Sequence, residues 1–513
     1  MVTLFPLKRG KTSTVFSNTG YSLTFIHKCN RFMKATMLYL LLFFNSPLFA
    51  SCDDSQNSKT DDSQPYPYKA QIFVYPDKTE KDLSVYMSGF NMSYYHDKDQ
   101  LWTNSRLTDA LKDIRTGILR YPGGAETAYL HWRYPGCPGY KDLWNPEHGI
   151  NMDEISKITE NMDTDEFIAL CRKTNAEPMM GINIQSGVVN NRLDDSLQEA
   201  IDWMNYCTTM GYNVKYWYLD GEVDHWGSYT QITVEEYAGI IRRFSQSLKA
   251  VNPNIKLIVN LIGGATVGNQ KKLIDLAGDC FDFIDFHYYH AWDISEWKGW
   301  TAQTPMRNPD TGMTYTEEIN SLTPYIKNSI NPNIGMVCLE WNIGPSQVDV
   351  MSDYKQALMQ TEMFQQFLRS DLQMASIWPL IWQVKEGQFP SLFDQHTYEV
   401  TPLYHIMKLY NVVLGNAQIQ SNCSDSQVVT HCATDQQTVW ICGINKHEKQ
   451  QRAIVMLDGT KNYSKAIVHH VYSDNIDNNH CRVSSQEISI DSKSFTLDIP
   501  PYSFFRIELN VQI

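Results

Sequence analysis

Short apolar runs alternate with helical patterns along most of this chain, between residues 83 and 414. The apolar runs have the composition of strands that are buried on both faces. The helical patterns between them have the length of crossover connections between parallel strands. Because the alternation repeats eight times, it favours a closed barrel over an open sheet. We therefore predict the α/β class, with a (β/α)8 TIM barrel over residues 67–414.

The bounds of the individual elements follow from the spacing of the apolar residues. The predicted barrel strands are Leu83–Phe90, Gly117–Gly124, Pro178–Ile184, Tyr216–Leu219, Lys256–Asn260, Phe283–His287, Gly335–Glu340 and Ala375–Trp382. The predicted helices are Thr103–Arg115, Thr164–Arg172, Leu193–Met210, Thr233–Val251, Gln270–Ala277, Thr316–Lys327 and Asp353–Arg369. Thr164 and Thr233 are followed closely by pairs of acidic residues, so we expect both to cap their helices.

The pattern changes after Leu414, where the helical periodicity stops. Short alternating runs follow at Thr438–Ile444, Ala453–Leu457 and Phe495–Ile499. Several half-buried strands in succession predict a C-terminal β-sandwich over residues 415–513. We expect Ala70–Tyr75 to add one strand to this sandwich before the barrel begins.

Residues 1–52 have the character of an export leader. The apolar run Met37–Ala50 is too short to span a bilayer and has the length of a signal-peptide core. Its end resembles a bacterial lipoprotein cleavage site, with Cys52 as the lipidated residue. The polar, acidic residues 53–66 predict a flexible tether. Because acids after such a cysteine resemble an export signal, we expect anchoring at the outer membrane or surface of a Gram-negative bacterium.

Composition narrows the range of partners. The net charge of −14 argues against nucleic acid and against anionic membrane surfaces, so we expect membrane contact only through the lipid anchor. Aromatic residues make up 12% of the chain, which suits stacking on sugars as well as it suits a large aromatic core. The 11 cysteines lack metal-ligand spacing, and we expect no metal and no cofactor. Four of them lie near the C-terminus and are candidates for pairing (Cys423, Cys432, Cys442 and Cys481).

Two glutamates stand directly after apolar strands. The run Tyr216–Leu219 is followed by Asp220, Gly221 and Glu222, and the run from Gly335 ends in Glu340. In a barrel of parallel strands, such positions lie at the mouth where the chemistry of these enzymes is found. Two carboxyl groups that flank the bond to be cleaved are the minimum set of catalytic groups for glycoside hydrolysis. One of them must stay protonated, so its pKa must be raised either by apolar walls, for which Trp217, Trp226 and Trp341 are candidates, or by its negatively charged partner.

Other residues are candidates for binding a sugar. Arg120 ends a predicted strand, where it would pair with a catalytic carboxylate or fill the polar layer of the barrel. Trp292, Trp341 and Trp382 are candidates for stacking, although each one singly also suits packing. The loop Ala291–Thr314 is long and contains three tryptophans, so we predict that it forms a wall of the substrate cleft.

The motifs together resemble the retaining α-L-arabinofuranosidases of the (β/α)8 glycosidase clan. The resemblance spans roughly Gly117–Trp382 and rests on the runs Leu119–Gly124, Thr164–Phe167, Ala176–Pro178, Tyr216–Trp217, Phe286–Tyr289 and Leu339–Asn342. It implies that Glu222 is the acid/base and Glu340 the nucleophile. It also implies that His287 and Tyr289 orient Glu340 and its sugar.

Three positions depart from the pattern of that family. Gly221 replaces an asparagine that usually precedes the acid/base, and Ala125 replaces a frequent asparagine after the Pro-Gly-Gly turn. Asn91 and Met92 stand where the first strand usually presents a glutamate. The catalytic pair is therefore kept while the sugar pocket differs, with Asn91 or Asp220 as candidate replacements.

The sequence thus predicts a retaining, arabinofuranosidase-like glycoside hydrolase that acts on extracellular plant-type polysaccharide or oligosaccharide. One alternative is a different specificity, including endo-acting cleavage, on the same barrel. The other is a surface glycan-binding lipoprotein without catalysis, which Gly221 favours and the two retained glutamates oppose.

Overall fold

The computed structural model describes residues 70–92, 103–133, 142–145, 147, 162–225, 228–266, 268–292, 294–346, 353–381, 391–394, 397–490 and 493–512. The chain divides into two units, Met1–Tyr66 and Pro67–Ile513. The predicted leader, the tether and the lipidation site at Cys52 lie outside the described residues. Within the described ranges, no helix has the length and apolar character needed to cross a bilayer.

A closed barrel of eight parallel strands forms the centre of the second unit. Its strands are β2 (Gly89–Asn91), β3 (Ile118–Tyr121), β4 (Glu177–Ile182), β5 (Tyr216–Leu219), β6 (Lys256–Asn260), β7 (Phe283–Trp292), β8 (Gly335–Ser346) and β9 (Leu372–Ile377). β9 pairs with β2 in parallel and closes the ring. The predicted (β/α)8 barrel is confirmed.

Helices connect the strands around the outside of the barrel. They are α1 (Ser105–Asp113), α2 (Thr164–Thr174), α3 (Gln185–Val189), α4 (Leu193–Thr209), α5 (Val234–Val251), α6 (Gln270–Ala277), α7 (Ile294–Ala302), α8 (Tyr315–Asn320), α9 (Thr323–Lys327), α10 (Asp353–Arg369) and α11 (Pro402–Tyr410). Short 3-10 helices lie at Val85–Met87, Gly124–Ala128 and Asn411–Val413. The capping box predicted for Thr233 is present, because its side chain accepts from Glu236 N and Glu236 caps in return.

Several predicted bounds differ from the structure. The segment Leu83–Phe90 is mainly a 3-10 turn that leads into the three-residue strand β2, and β9 ends at Ile377, before Trp382. The cap of α2 is Asp163 rather than Thr164, because the Asp163 carboxylate accepts from Glu166 N. A hydrophobic pattern leaves the ends of elements loosely determined, because few core contacts depend on the terminal residues.

The C-terminal strands form one continuous sheet of nine strands together with β1 (Ala70–Asp82). The others are β10 (Ala417–Cys423), β11 (Val428–Thr434), β12 (Thr438–Asn445), β13 (Gln451–Leu457), β14 (Tyr463–Tyr472), β15 (Arg482–Ser489), β16 (Ser494–Ile499) and β17 (Ser503–Val511). β1 pairs antiparallel with β10 and parallel with β13. Strands from both ends of the sheet contribute to one apolar core, so the sheet curls over itself. The four C-terminal cysteines are all free thiols, so the pairing considered for them does not occur.

Part of the loop predicted to line the cleft instead packs against this sheet. Ile294–Ala302 of the loop form α7, and Trp297 and Trp300 are buried, with the Trp297 ring 5.3 Å from that of Tyr502. Lys446 lies over the Trp300 ring and bonds to Glu362 of α10 at 2.8 Å. The prediction that these two tryptophans form a cleft wall is therefore wrong. Both rings pack against residues of the C-terminal sheet, a contact that the local sequence does not indicate.

Candidate active site

The two glutamates singled out in the sequence meet at the carboxyl end of the barrel. Glu222 follows β5, and Glu340 lies on β8. One carboxylate oxygen of each, with a ring nitrogen of His287, lies within 4.8 Å of the others. The Glu340 side chain is 9% exposed and that of Glu222 is 33% exposed. Both carboxylates therefore reach one opening, with Glu340 at its floor and Glu222 at its side.

The backbone that presents Glu222 is strained and tightly held. Asp220 and Glu222 adopt left-handed φ angles of 58° and 46°, which cost about 1–3 kcal/mol each for residues other than glycine. Glu222 N donates to Asn260 Oδ1 at 2.6 Å, which fixes the turn. The buried Asp220 carboxylate accepts from the backbone of Ile184 and Gln185, at 3.0 and 2.9 Å. Asp220 therefore holds the loop and does not replace a sugar-binding residue.

Glu340 is held by two side chains from other strands. Arg120 Nη1 donates to Oε1 at 2.7 Å, and the Tyr289 hydroxyl donates to Oε2 at 2.8 Å. The two bonds fix the orientation of the Glu340 carboxylate in the barrel mouth. Arg120 is thus paired with Glu340, one of the two carboxylates predicted to be catalytic.

Arg120 is itself enclosed by barrel side chains. Its Nη1 also donates to Asn91 Oδ1 at 2.8 Å, and its guanidinium carbon lies 4.1 Å from the centre of the Tyr218 ring. Asn91 is fully buried, and its amide donates to Leu339 O and Ile377 O. Asn91 thus positions Arg120 rather than facing a sugar, which corrects its predicted role. Met92 is also fully buried and does not line an opening.

His287 connects Glu222 to a third carboxylate, that of Asp285. Its Nδ1 lies 2.8 Å from Glu222 Oε1, and its Nε2 lies 3.2 Å from Asp285 Oδ2. The distance from Nδ1 to Glu340 Oε2 is longer, at 3.5 Å. The predicted orientation of Glu340 therefore falls mainly to Tyr289, while His287 contacts Glu222.

Charge controls protonation at this site. Burial alone disfavours a charged imidazole, but the nearby carboxylates of Glu340 and Asp285 outweigh burial and raise the pKa of His287 to about 10. Burial would likewise raise the pKa of Glu222, but the hydrogen bond and charge of His287 outweigh that effect and lower it. In the free site the shared proton therefore lies on His287. The expectation of a donor pKa raised by apolar walls is wrong.

Two of the tryptophans expected as walls belong to the core instead. The Trp341 ring stacks on Phe364 of α10, and the Trp217 ring meets Trp203 of α4 edge-on. Successive strand residues point to opposite faces, so Trp341 points outward while Glu340 points into the barrel. Trp226 and Trp382 lie outside the described residues, and for Trp292 only the backbone is described.

Four residues at the site escaped the sequence analysis. Asp285 accepts from Leu339 N at 2.7 Å and from Asn260 Nδ2 at 3.1 Å. Tyr218 lies beneath Arg120, and the half-buried Trp378 ring lies 6.3 Å from Tyr289. Asp285 precedes His287 by two positions and so shares its strand face, a signal that was available. Asn260 and Trp378 lie at strand ends, but nothing in their local sequence distinguishes them.

The donor set also bears on metal binding. Glu222, His287 and Glu340 are the group in the described part of the chain whose donor atoms converge closely enough for an ion. Arg120 already bonds to Glu340 there, and the raised pKa of His287 keeps a proton on the ring nitrogen that a metal would need. The arrangement therefore suits proton transfer and nucleophilic attack by carboxylate better than metal coordination.

Sequence comparison places this barrel beside characterised glycosidases. Residues 110–303 match the family described as the α-L-arabinofuranosidase 1 domain. The chain is 32% identical over 210 residues to α-L-arabinofuranosidase C of Emericella nidulans. That stretch covers 36% of this chain and 39% of the relative, so the alignment spans well under two thirds of the relative's length.

Solved structures share the fold over a longer stretch. The α-L-arabinofuranosidase of Thermotoga maritima has a TM-score of 0.69 at 19% identity and covers 86% of this chain and 100% of its own. A xyloglucanase of Paenibacillus polymyxa has a TM-score of 0.61 at 13% identity, with coverage of 86% and 100%. The predicted resemblance to arabinofuranosidase-type glycoside hydrolases is confirmed.

Proposed function

We propose that this protein is a retaining glycoside hydrolase that cleaves α-L-arabinofuranosyl or closely related linkages of plant-type polysaccharides and oligosaccharides. The observation that carries the proposal is the close approach of Glu222 and Glu340, whose nearest oxygens lie within 4.8 Å. Retaining glycosidases hold their carboxyl groups about 5–5.5 Å apart, whereas inverting enzymes need about 6.5–9.5 Å to admit a water molecule. The spacing therefore supports double displacement.

In the first step Glu340 attacks the anomeric carbon while the bond to the leaving oxygen breaks. Arg120 and Tyr289 hold the carboxylate oriented for this attack. The leaving oxygen takes a proton from Glu222, which receives one from His287 Nδ1 along their 2.8 Å hydrogen bond. His287 keeps its second proton toward Asp285, which stabilises the ring in that orientation.

In the second step water attacks the same carbon and releases Glu340 from the covalent sugar ester. Glu222 now accepts the proton of that water, and the Glu222–His287 pair returns to its starting state. The anomeric configuration is inverted twice and so is retained.

The location belongs to the same proposal. An exported protein anchored through lipid on Cys52 would meet polysaccharide outside the cytoplasm, with residues 53–66 as the tether. The substitution Cys52→Ala is expected to abolish lipid labelling and detergent partitioning while turnover is unchanged. Labelling that persists in Cys52→Ala would contradict the anchor.

The product of a single turnover tests the reaction itself. Hydrolysis of an aryl α-L-arabinofuranoside, followed by proton NMR before mutarotation, should give the α product first. Inverted product would contradict the assignment of Glu340 as nucleophile. A panel of polymeric substrates with analysis of product size separates exo cleavage from the endo-acting alternative.

A further inference from the structure

Asp285 links the backbone at the two catalytic glutamates. It lies on β7 and is buried, and its Oδ1 accepts at 2.7 Å from the backbone nitrogen of Leu339, the residue before Glu340. Its Oδ2 accepts from Asn260 Nδ2 at 3.1 Å, and Asn260 Oδ1 accepts from the backbone nitrogen of Glu222 at 2.6 Å. One buried carboxylate therefore constrains the chain at both catalytic positions, which come from strands that are not neighbours in the barrel.

The bond to Leu339 lies where the strand pairing is irregular. Val337 is opposite Asp285 and Glu340 is opposite His287, so β8 contains one residue more than β7 over this stretch. An extra residue of this kind redirects side chains and disrupts the hydrogen-bond ladder locally. The Asp285 carboxylate supplies an acceptor within that stretch, directly before the nucleophile.

Asp285 also bears on the protonation of His287. Its Oδ2 lies 3.2 Å from His287 Nε2, while Glu222 Oε1 lies 2.8 Å from Nδ1. Because carboxylates only accept hydrogen bonds, both ring nitrogens must carry a proton to bond to both, and such an imidazole is a cation. Burial lowers the pKa of His287, but the charges of Glu340 and Asp285 outweigh burial and raise this pKa to about 10.

We propose that Asp285 is a positioning residue for the reaction, which fixes the backbone at both catalytic glutamates and keeps on His287 the proton that Glu222 passes to the leaving oxygen. The inference rests on the proposed function, because it takes Glu222 as the acid/base. The proton moves from His287 Nδ1 to Glu222 and on to the leaving oxygen, and the water of the second step returns it. Since Asp285 is buried, it acts through its neighbours and not on the sugar.

The charges around His287 indicate how much depends on Asp285. Three carboxylates face the ring, from β7, from β8 and from the turn after β5 (Asp285, Glu340 and Glu222). The basic groups beside them are Arg120, which is bonded to Glu340, and His225, which acts on the charge of Glu222. Because Arg120 already offsets the charge of Glu340, the charge at position 285 is needed to hold the second proton. One opposite charge at such a distance changes a pKa by about 1–3.

The variant Asp285→Asn removes the charge and keeps an oxygen that can accept from Leu339 N. The pKa of His287 should therefore fall by about 1–3 from its value of about 10. Hydrolysis of an alkyl α-L-arabinofuranoside needs the donated proton, so the basic limb of its kcat/KM profile should move down in pH by the same amount. At pH 6, where the ring is still charged, kcat/KM should change much less than at pH 10.

The variant Asp285→Ala removes the charge and the acceptor together. It should show the same move of the basic limb and, in addition, a fall in kcat of about 10²-fold at every pH, because displacing a catalytic group by about 1 Å has an effect of that size. This additional loss should be equal for alkyl and nitrophenyl glycosides, since it concerns alignment and not proton donation. Asp285→Asn should recover most of it.

The matched control is Asp282→Asn at the other end of the same strand. Asp282 directly precedes β7, and its carboxylate also accepts from a backbone nitrogen, that of Leu257 at 3.0 Å. It pairs with Lys249 and Lys256 and lies away from the barrel mouth. Asp282→Asn should lower thermal stability and leave kcat and the basic limb unchanged.

The charge on His287 can also be measured without turnover. In the full chain with isotope-labelled histidine, the ring signals of His287 are assigned by NMR from their loss in His287→Gln. Their titration should have a midpoint near pH 10 in the unmodified protein and a midpoint lower by about 1–3 in Asp285→Asn.

The outcomes separate this inference from the function on which it rests. An unchanged midpoint or basic limb in Asp285→Asn would overturn the proposal, as would an equal change in Asp282→Asn. A lower midpoint in a protein that hydrolyses no aryl glycoside would support the effect of Asp285 on His287 and contradict the hydrolase. If the variants at position 285 do not fold, judged by thermal melting, the unmodified protein decides, because a His287 midpoint near the ordinary value of about 6.5 would overturn the proposal.

Discussion

Two buried ion pairs in this protein each join a basic side chain to a glutamate, but their surroundings differ. Arg120 and Glu340 meet at 2.7 Å in the barrel mouth, and Lys446 and Glu362 meet at 2.8 Å between α10 and the C-terminal sheet. The second pair is closed on all sides, because Lys446 also donates to Gln303 O and Glu362 also accepts from Met306 N. Neither of its side chains is exposed.

The first pair is left open. Glu340 keeps 9% of its side chain exposed, and two nitrogens of Arg120 have no partner among the described residues. A ligand cannot reach an ion pair that is fully enclosed, whereas it can reach a carboxylate that keeps some exposure. The two pairs thus differ in the access that Glu340 keeps.

The largest difference in turnover is expected between variants that neutralise Glu340 and Glu362. Glu340→Gln should lower kcat/KM by about 10⁴-fold or more, because the amide cannot form the glycosyl ester. Glu362→Gln should leave kcat/KM within about threefold and lower thermal stability instead. Steady-state kinetics on an aryl glycoside, with melting curves for both variants, checks this. Comparable losses of turnover in the two variants would remove the distinction between the pairs.

The partner carboxylate should show a loss that depends on the leaving group. Glu222→Ala removes the proton donor, and such donors contribute about 10²–10⁴-fold in rate. We expect that loss for alkyl and oligosaccharide substrates, and a much smaller one for nitrophenyl glycosides, whose leaving oxygen needs little protonation. Equal losses for both substrate types would show that Glu222 is not the proton donor.

Substitutions in the enclosed Lys446–Glu362 pair should change the stability of the protein and not its turnover. Lys446→Met leaves Glu362 buried without its counter-ion, which typically costs about 3–5 kcal/mol in the free energy of unfolding. The double variant with Glu362→Leu should recover most of that loss. The control is Lys465→Met, because the Lys465–Glu487 pair is exposed and contributes about 0–1 kcal/mol. Denaturant unfolding provides the measurement, and a double variant no better than the single one would contradict this account.

The last expected effect is a dependence of stability on pH. Glu222, Glu340 and Asp285 face His287 and raise its pKa to about 10, above the value of about 6.5 in an unfolded chain. The contribution of charged His287 to the free energy of unfolding is therefore fully present below about pH 6.5 and is lost as pH rises through about 10. The difference in unfolding free energy between the protein and His287→Gln should shrink steadily from pH 6 to pH 10. A constant difference over that range would mean that His287 is not charged in the folded state.

Much of the barrel could be predicted from local sequence. The bounds of β5, β6, α5, α6 and α10 agree with the predicted ranges, because apolar spacing and caps act over a few residues. Glu222, Glu340 and Tyr289 also reach the site as predicted, since residues at the ends of parallel strands share one edge. The roles of Asn91, Asp220 and Trp341 were misjudged, because each depends on which distant chain segment packs against it.

The sequence by itself determined the barrel, the strand-rich C-terminal domain and the two carboxylates, since periodicity and strand ends are encoded in neighbouring residues. Only the tertiary structure decided which groups hold them. Arg120 pairs with Glu340 across 220 positions of sequence, and His287 reaches Glu222 across 65. The same holds for Trp297 and Trp300, which pack against the C-terminal domain. Closing the barrel and folding the sheet against it bring together residues that no local pattern connects, and the charge of the site follows from those encounters.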